Sequence, residues 1–136
     1  MNNPLVSVNM VVYNGGQFIS DAIQSILNQT YSNFELIIVD DGSTDKTLVE
    51  IRNFIDPRIK LIKHKKNHGV VIARNTALKA SEGVYIAILD ADDISPPNRL
   101  EIELRFLEEN PEFGLIGGLA ELIDRNGEKK NRIQSL

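Results

Sequence analysis

Val84-Tyr85-Ile86-Ala87-Ile88-Leu89 runs straight into Asp90-Ala91-Asp92-Asp93. A run this continuously apolar reads as a buried strand. The acids that follow put polar chemistry at its C-terminal end. Two upstream segments share the design. Glu35 to Asp40 (ELIIVD) is a buried strand ending in acid and continues into Asp41-Gly42-Ser43. Leu5 to Tyr13, with Val6, Val8, Met10, Val11 and Val12, breaks at the turn signal Asn14-Gly15-Gly16.

Between these strands the period turns helical. Gln17 to Gln29 carries adjoining stripes of Phe18, Ala22, Ile26 and of Ile19, Ile23, Leu27. Ser43 or Thr44 is placed to cap a second helix with the stripe Leu48, Ile51, Ile55, stopped by Asp56-Pro57. Arg58 to Lys63 (RIKLIK) reads as a third strand. A basic loop, Lys63 to Gly69, leads to a helix over about 71–81, closed by Glu82-Gly83. Pro96-Pro97 open a fourth helix with the stripe Leu100, Leu104, Leu107. Phe113 to Ile116 and Leu119 to Ile123 read as two more strands, the latter running into an Asn126-Gly127 turn. Lys129 to Leu136 shows no clear pattern.

Alternation of this kind predicts an α/β fold: a mostly parallel, Rossmann-like sheet with helices on both faces. Ligands of such sheets sit at the carboxyl ends of the strands. Tyr13-Asn14, Asp40-Asp41 and Asp90 to Asp93 would therefore converge on one edge.

Composition narrows the chemistry. The 136 residues, 42% hydrophobic and 25% charged, suit a single globular domain over 1–136. A net charge of -4 argues against a nucleic-acid partner, but admits a small anion screened by a bound cation. The absence of cysteine excludes disulfides and thiolate metal sites. Met1-Asn2-Asn3-Pro4 lacks the regions of a signal peptide, and no apolar run approaches the roughly 20 residues of a membrane span. The expected setting is cytoplasmic, with peripheral membrane association left open.

Each candidate residue has a plain structural reading beside the functional one. Asp90, Asp92 and Asp93 repel one another, and a hard divalent cation, magnesium or manganese, would resolve that conflict. The alternative is a solvated loop that caps the next helix, with Asp93 its structural member. Asp41 suits a ring N–H or a ribose hydroxyl, and equally a turn. Tyr13 suits stacking on a base, although a tyrosine at a strand end more often serves packing. Arg74, with Asn75, stands in a helix of small and apolar residues, to face a diphosphate or to pair with the aspartates. His64 and His68, among Lys63, Lys65 and Lys66, favour a flexible solvated loop over phosphate attraction.

The order and spacing of VSVNMVVYNGG, SILNQTYSNFELIIVDDGSTDKT and GVVIARNTALKASEGVYIAILDADD resemble family 2 glycosyltransferases, inverting enzymes of the GT-A fold. The resemblance covers nearly the whole chain and corresponds to the N-terminal, nucleotide-sugar-binding portion. The nucleotide site is expected at Tyr13, Asn14, Asp41, Arg74 and Asp90; the resemblance implies that Tyr13 lines the base pocket, Asp41 contacts a uracil-type ring and Asp90 approaches the ribose. It implies metal ligands Asp92 and Asp90 for Mn2+ or Mg2+. It further implies a UDP-sugar donor, a saccharide or lipid-linked acceptor, and a place in cell-envelope polysaccharide biosynthesis. Val12 departs from the proline or threonine common at that position and leaves the site intact.

A second departure concerns catalysis. Inverting transfer needs a general base, which the family carries well beyond its DxD-like motif. Nothing after Asp93 matches it, and no family motif supports Glu121 or Asp124 in that role. The expectation is a donor-binding fragment, lacking the acceptor part and catalytically incomplete; the alternative is a non-enzymatic nucleotide-sugar-binding module. ILDADDIS also resembles the DxD of haloacid dehalogenase-type phosphohydrolases, which normally lies near the start of the domain. No GxGxxG follows the first strand, against a dinucleotide oxidoreductase.

Overall fold

The apolar runs become strands of one sheet, the first two with a neighbour on either side and the other two at its edges. In chain order the elements are β1 (Val6–Val12), α1 (Ile19–Leu27), β2 (Phe34–Asp40), α2 (Thr47–Arg52), β3 (Ile59–Lys63), α3 (Val70–Ala80), β4 (Tyr85–Ile88), α4 (Arg99–Glu109), β5 (Ala120–Ile123) and β6 (Lys129–Gln134). The computed structural model describes residues 3–134, so residues 1–2 and 135–136, read above as part of the N-terminus and of the unpatterned tail, lie outside it. The chain divides into two units, Met1–Glu101 and Ile102–Leu136.

The first unit holds a parallel four-stranded sheet in the order β3-β2-β1-β4. Pairing sets Val8 beside Leu36 and Ala87, and Asn9 beside Ile37 and Ile88. Side chains alternate across the sheet. Ile37 and Val39 pack on Ala73 and Ala77 of α3, with Val11, Ile62 and Ala80 around them. The crossover from β3 to β4 runs opposite to those from β1 to β2 and β2 to β3. Right-handed crossovers therefore place α3 on one face and α1 with α2 on the other. That second face receives Val8, Met10, Leu36 and Ile38, all fully buried, under Ile19, Ala22, Ile23 and Ile26 of α1. Burying one such aliphatic side chain contributes roughly 1.5–3 kcal/mol.

The N-terminal edge of the sheet is polar and closed. Glu35, nearly fully buried, accepts from the Ser7 hydroxyl (2.5 Å) and the Glu82 N–H (2.7 Å), and its other oxygen lies 2.7 Å from Lys60 Nζ. The Gly83 N–H in turn donates to Ser7 Oγ at 2.8 Å. Burial alone would raise the Glu35 pKa, but the bonds from Lys60, Ser7 and Glu82 hold it below the ordinary 4.5.

Several sequence expectations are corrected here. Ile55 lies beyond α2 and is 99% exposed, because the helix ends at Arg52 before its apolar stripe can extend that far. Its start is tied by Asp45, whose Oδ1 accepts the Thr47 N–H at 2.9 Å, and not by Ser43 or Thr44. Just beyond, Asp56 grips the backbone and guanidinium of Arg58, which lowers its pKa to about 2. Phe113 to Ile116 forms no strand: the Phe113 N–H closes a turn on the Asn110 carbonyl, and among the described residues no strand pairs with it. Lys129–Gln134, which had no legible pattern, is instead a strand paired antiparallel with β5. Its sequence KKNRIQ carries no alternation, so only the partner defines it. Among the described residues no helix is long and apolar enough to cross a membrane.

Candidate functional site

Parallel pairing brings the C-terminal ends of β1, β2 and β4 to one edge of the first unit. β1 is flanked by β2 on one side and by β4 on the other, so the strand order reverses beside it, and a crevice opens at such a switch point.

At the β1–β2 end two loops are laced together. Asn14 adopts φ 51°, a left-handed conformation that asparagine tolerates better than most residues. Its N–H donates to Ser43 Oγ (2.9 Å), and its Oδ1 accepts the N–H groups of Thr44 (2.9 Å) and Asp45 (3.3 Å). The Gly16 N–H adds a bond to Asp45 Oδ2 at 3.1 Å. The carbonyl of Asn14 is thus committed to the loop after β2. Asp40 is fully buried, with Oδ1 accepting the Ser43 N–H at 3.0 Å and Oδ2 without a protein partner.

Asp41 is 2% exposed, and its carboxylate takes three donors. Oδ1 receives His64 Nδ1 (2.6 Å) and the His68 N–H (3.0 Å), while Oδ2 receives the same His68 N–H (3.1 Å) and that of Gly69 (2.8 Å). Burial would raise its pKa; the donors His64, His68 and Gly69 outweigh that and lower it below 3.8. Next to it, Gly42 sits at φ 78°, and a Cβ there would lie 2.5 Å from the Lys66 carbonyl carbon, so only glycine fits. The 63–69 loop is solvated at its side chains, with Lys63, Lys65, Lys66, Asn67 and His68 exposed, yet it is tied down rather than loose. Its backbone is pressed on Gly42 and bonded to Asp41, and the His64 N–H donates to the Asp40 carbonyl at 2.9 Å. His64 also reaches Thr76 Oγ1 of α3 through Nε2, at 3.1 Å, and meets the His68 ring edge to face.

Tyr13 stands at the end of β1 with half its surface open. Between β1, β4 and α3 lies a pocket of about 120 Å³ lined by Asn9, Val11, Arg74, Leu78, Ile88 and Asp90. Ala73 and Ala77 turn into the core, so Arg74 and Leu78, one position further on, turn toward β4. Arg74 Nη2 lies 3.2 Å from Asp90 Oδ1, and both side chains are more than half exposed. A pair this open contributes at most about 1 kcal/mol, which leaves both groups free to exchange partners with a ligand.

Asp92 and Asp93 lie exposed in the turn after β4, closed by the Asp93 N–H to the Asp90 carbonyl at 3.1 Å. The Asp93 pKa is raised by partial desolvation, then by Asp92 and Asp90, with Arg99 opposing. The protein leaves the negative field of this cluster only partly compensated, and its all-oxygen donor set suits a hard divalent cation. Among the described residues no three His, Cys, Asp or Glu side chains form a metal cage. Magnesium and manganese sites commonly use only one or two carboxylates, completed by water and substrate phosphate, and Asp90 and Asp92 suffice for that.

In the second unit, Glu121 pairs with Lys129 at 2.9 Å, and Asp124 accepts the N–H groups of Asn126 and Glu128 in the β5–β6 turn. Both carboxylates serve the hairpin. Neither His64 as the partner of Asp41 nor Thr76 as the partner of His64 is singled out by the sequence. The signal for His64 was its place directly after a strand, the same that marked Asp41 and Asp90.

The family model described as Glycosyl transferase family 2 matches residues 7–135. The chain is 42% identical over 126 residues to the UDP-Glc:alpha-D-GlcNAc-diphosphoundecaprenol beta-1,3-glucosyltransferase WfgD of Escherichia coli, covering 93% of this chain and 49% of that protein. It is 39% identical over 135 residues to the putative glycosyltransferase EpsE of Bacillus subtilis, covering 97% of this chain and 49% of that one. Among solved structures, S. aureus TarS 1-349 in complex with UDP-GlcNAc is similar at TM-score 0.74 and 30% identity, over 78% of this chain and 32% of that one. The mannosyltransferase PcManGT of Pyrobaculum calidifontis, in complex with GDP-Man and Mn2+, is similar at TM-score 0.73 and 29% identity, over 79% and 33%. The chain spans less than half the length of these relatives.

Proposed function

The chain belongs to glycosyl transferase family 2, and on that premise we propose that it forms the donor site of an enzyme transferring a sugar from a nucleotide sugar, a UDP-sugar first among them, to a hydroxyl acceptor with inversion. The observation that carries this reading is the exposed Arg74–Asp90 pair on an open pocket at the strand-order switch, with Asp92 in the turn beside it. Arg74 binds the diphosphate, Asp90 lies toward the ribose and metal, and Asp92 is the direct metal ligand. A divalent cation, when bound, offsets charge on the departing nucleoside diphosphate. Tyr13 packs along the base.

Asp41 and Asn14 border the base side, and their present bonds define what a base must do. A ring N–H reaches Asp41 by exchange: the His68 N–H is shared between both oxygens, and settling it on one frees an acceptor position. No residue of this chain is assigned as the general base; that group lies in a further part of the enzyme, as does the acceptor site. The UDP-Glc in the name of WfgD and the TarS complex with UDP-GlcNAc favour a UDP-linked sugar, the mannosyltransferase complex a manganese-assisted one. The acceptor is a saccharide or lipid-linked saccharide of cell-envelope polysaccharide synthesis.

Calorimetric titration of UDP with and without manganese tests the site. Wild type is expected to bind in a manganese-dependent way, and Asp92→Ala to lose that dependence while staying folded. Manganese-independent binding that Asp92→Ala leaves unchanged would remove the metal assignment and spare the nucleotide pocket. Failure of folded wild type to bind UDP, dTDP or GDP would remove the donor-site reading.

A further inference from the structure

We propose that His64 is a positioning residue of this site: by bridging Asp41 to α3 it sets where Arg74 stands against Asp90. The inference rests on the donor-site reading, because it gives Arg74 its importance, and it concerns residues outside the pocket itself.

α3 is held to the sheet chiefly by methyl groups. Its fully buried residues are Ala73 and Ala77, with Ala80 partly buried beside them, while Val70, Val71, Ile72 and Leu78 are half-exposed or more. Alanines make a flat, shallow contact that interlocks less than larger side chains do, so packing defines the rotation of the helix weakly. Its N-cap, Gly69, offers no side-chain cap. Polar bonds at its β3 side fill that gap. Asp41 Oδ2 accepts the Gly69 N–H at 2.8 Å and so fixes the start of the helix. His64 Nδ1 lies 2.6 Å from Asp41 Oδ1 and His64 Nε2 lies 3.1 Å from Thr76 Oγ1, which fixes rotation about the axis. The Thr76 hydroxyl also lies 3.0 Å from the Ile72 carbonyl.

Arg74 is two residues before Thr76, about 3 Å along the same axis and on the opposite flank, toward β4. Its 3.2 Å contact with Asp90 spans a half-open gap and imposes no rotation of its own. The placement of the guanidinium therefore follows from the bracket on the other flank. The base side of the site, at Asp41, and the diphosphate side, at Arg74, are joined through His64, Thr76 and about half a turn of α3.

The test uses two probes with manganese, UDP and inorganic pyrophosphate; the second has no base and so cannot sense Asp41 directly. Thr76→Val and His64→Ala are expected to weaken both probes by the same factor, on the order of tenfold. Thr76→Ser, which keeps the hydroxyl, restores wild-type binding of both. A loss confined to UDP, or no loss in Thr76→Val, overturns the proposal. A second readout needs no ligand: the ¹⁵N resonances of the Arg74 guanidinium shift in Thr76→Val and return in Thr76→Ser. Unchanged Arg74 resonances in folded Thr76→Val overturn the bracket. If wild type binds neither probe, the donor-site reading fails, and the Arg74 resonances still decide whether His64 and Thr76 position the arginine.

Discussion

Asp41→Ala loses about 4 kcal/mol of folding stability, read as a shift in the urea midpoint at pH 7. The magnitude follows from what the substitution strands. The backbone N–H groups of His68 and Gly69 and the ring N–H of His64, all partly buried bonds, lose an acceptor that is itself 2% exposed. Each unsatisfied buried donor costs roughly 1–3 kcal/mol, and water entering the vacated space relieves part of the sum. Asp41→Asn recovers only part, because its amide NH2 confronts donors where an oxygen stood. The sign of the pH dependence is fixed by the lowered pKa of Asp41. Its contribution is complete above the unfolded value of 3.8 and disappears as pH falls through the lower folded value. Wild type thus loses stability below that pH, and Asp41→Ala loses less over the same range. A loss under about 1 kcal/mol at pH 7 would mean that the 64–69 loop is held by something other than this carboxylate.

At the opposite edge of the sheet, Glu35→Ala costs a comparable amount, about 3–5 kcal/mol, without altering UDP binding per folded molecule. It removes the acceptor for a fully buried Ser7 hydroxyl and for the Glu82 N–H, and leaves Lys60 with only Glu82 at 3.1 Å. Glu35→Gln keeps one carbonyl oxygen for Ser7 and Glu82 and recovers part of the loss. Glu35 also has a lowered pKa, so its stabilisation is full above 4.5 and declines as pH drops through the folded value. Urea midpoints between pH 3 and 6 for the three proteins measure this directly. Both variants give a flatter profile than wild type below about pH 4.5. A Glu35→Ala profile parallel to wild type would transfer the acid sensitivity to other carboxylates, with Asp41 first among them. The pair of experiments separates the two edges: Asp41 joins stability to the site, whereas Glu35 serves stability alone.

Much of this was legible along the chain. Apolar runs at Leu5 to Tyr13, Glu35 to Asp40 and Val84 to Leu89 announced buried strands, and the alternation with helices announced a parallel sheet; the third run is an edge strand that leaves Ile86 and Ile88 exposed. Parallel strands share one direction, so their C-terminal residues had to meet at one edge, and Tyr13, Asp41, Asp90 and Asp92 follow from that rule. Where the local signal was weak the reading failed. The strand at Lys129–Gln134 has no alternation of its own, and Phe113 to Ile116 has β-like residues without a neighbour to pair with.

Which oxygens are already spent was decided only by the tertiary structure. Asn14 and Asp41 look alike in sequence, as polar residues at strand ends. In the fold Asn14 laces two loops, and Asp41 is filled by donors 23 to 28 residues away. Arg74 and Asp90, by contrast, meet in the open, on a pocket that exists because β4 lies beside β1 and not beside β3. Periodicity is a property of neighbouring residues and is written in the chain. The assignment of hydrogen-bond partners depends on strand order and helix placement, which bring distant residues within 3 Å, and no local pattern contains it.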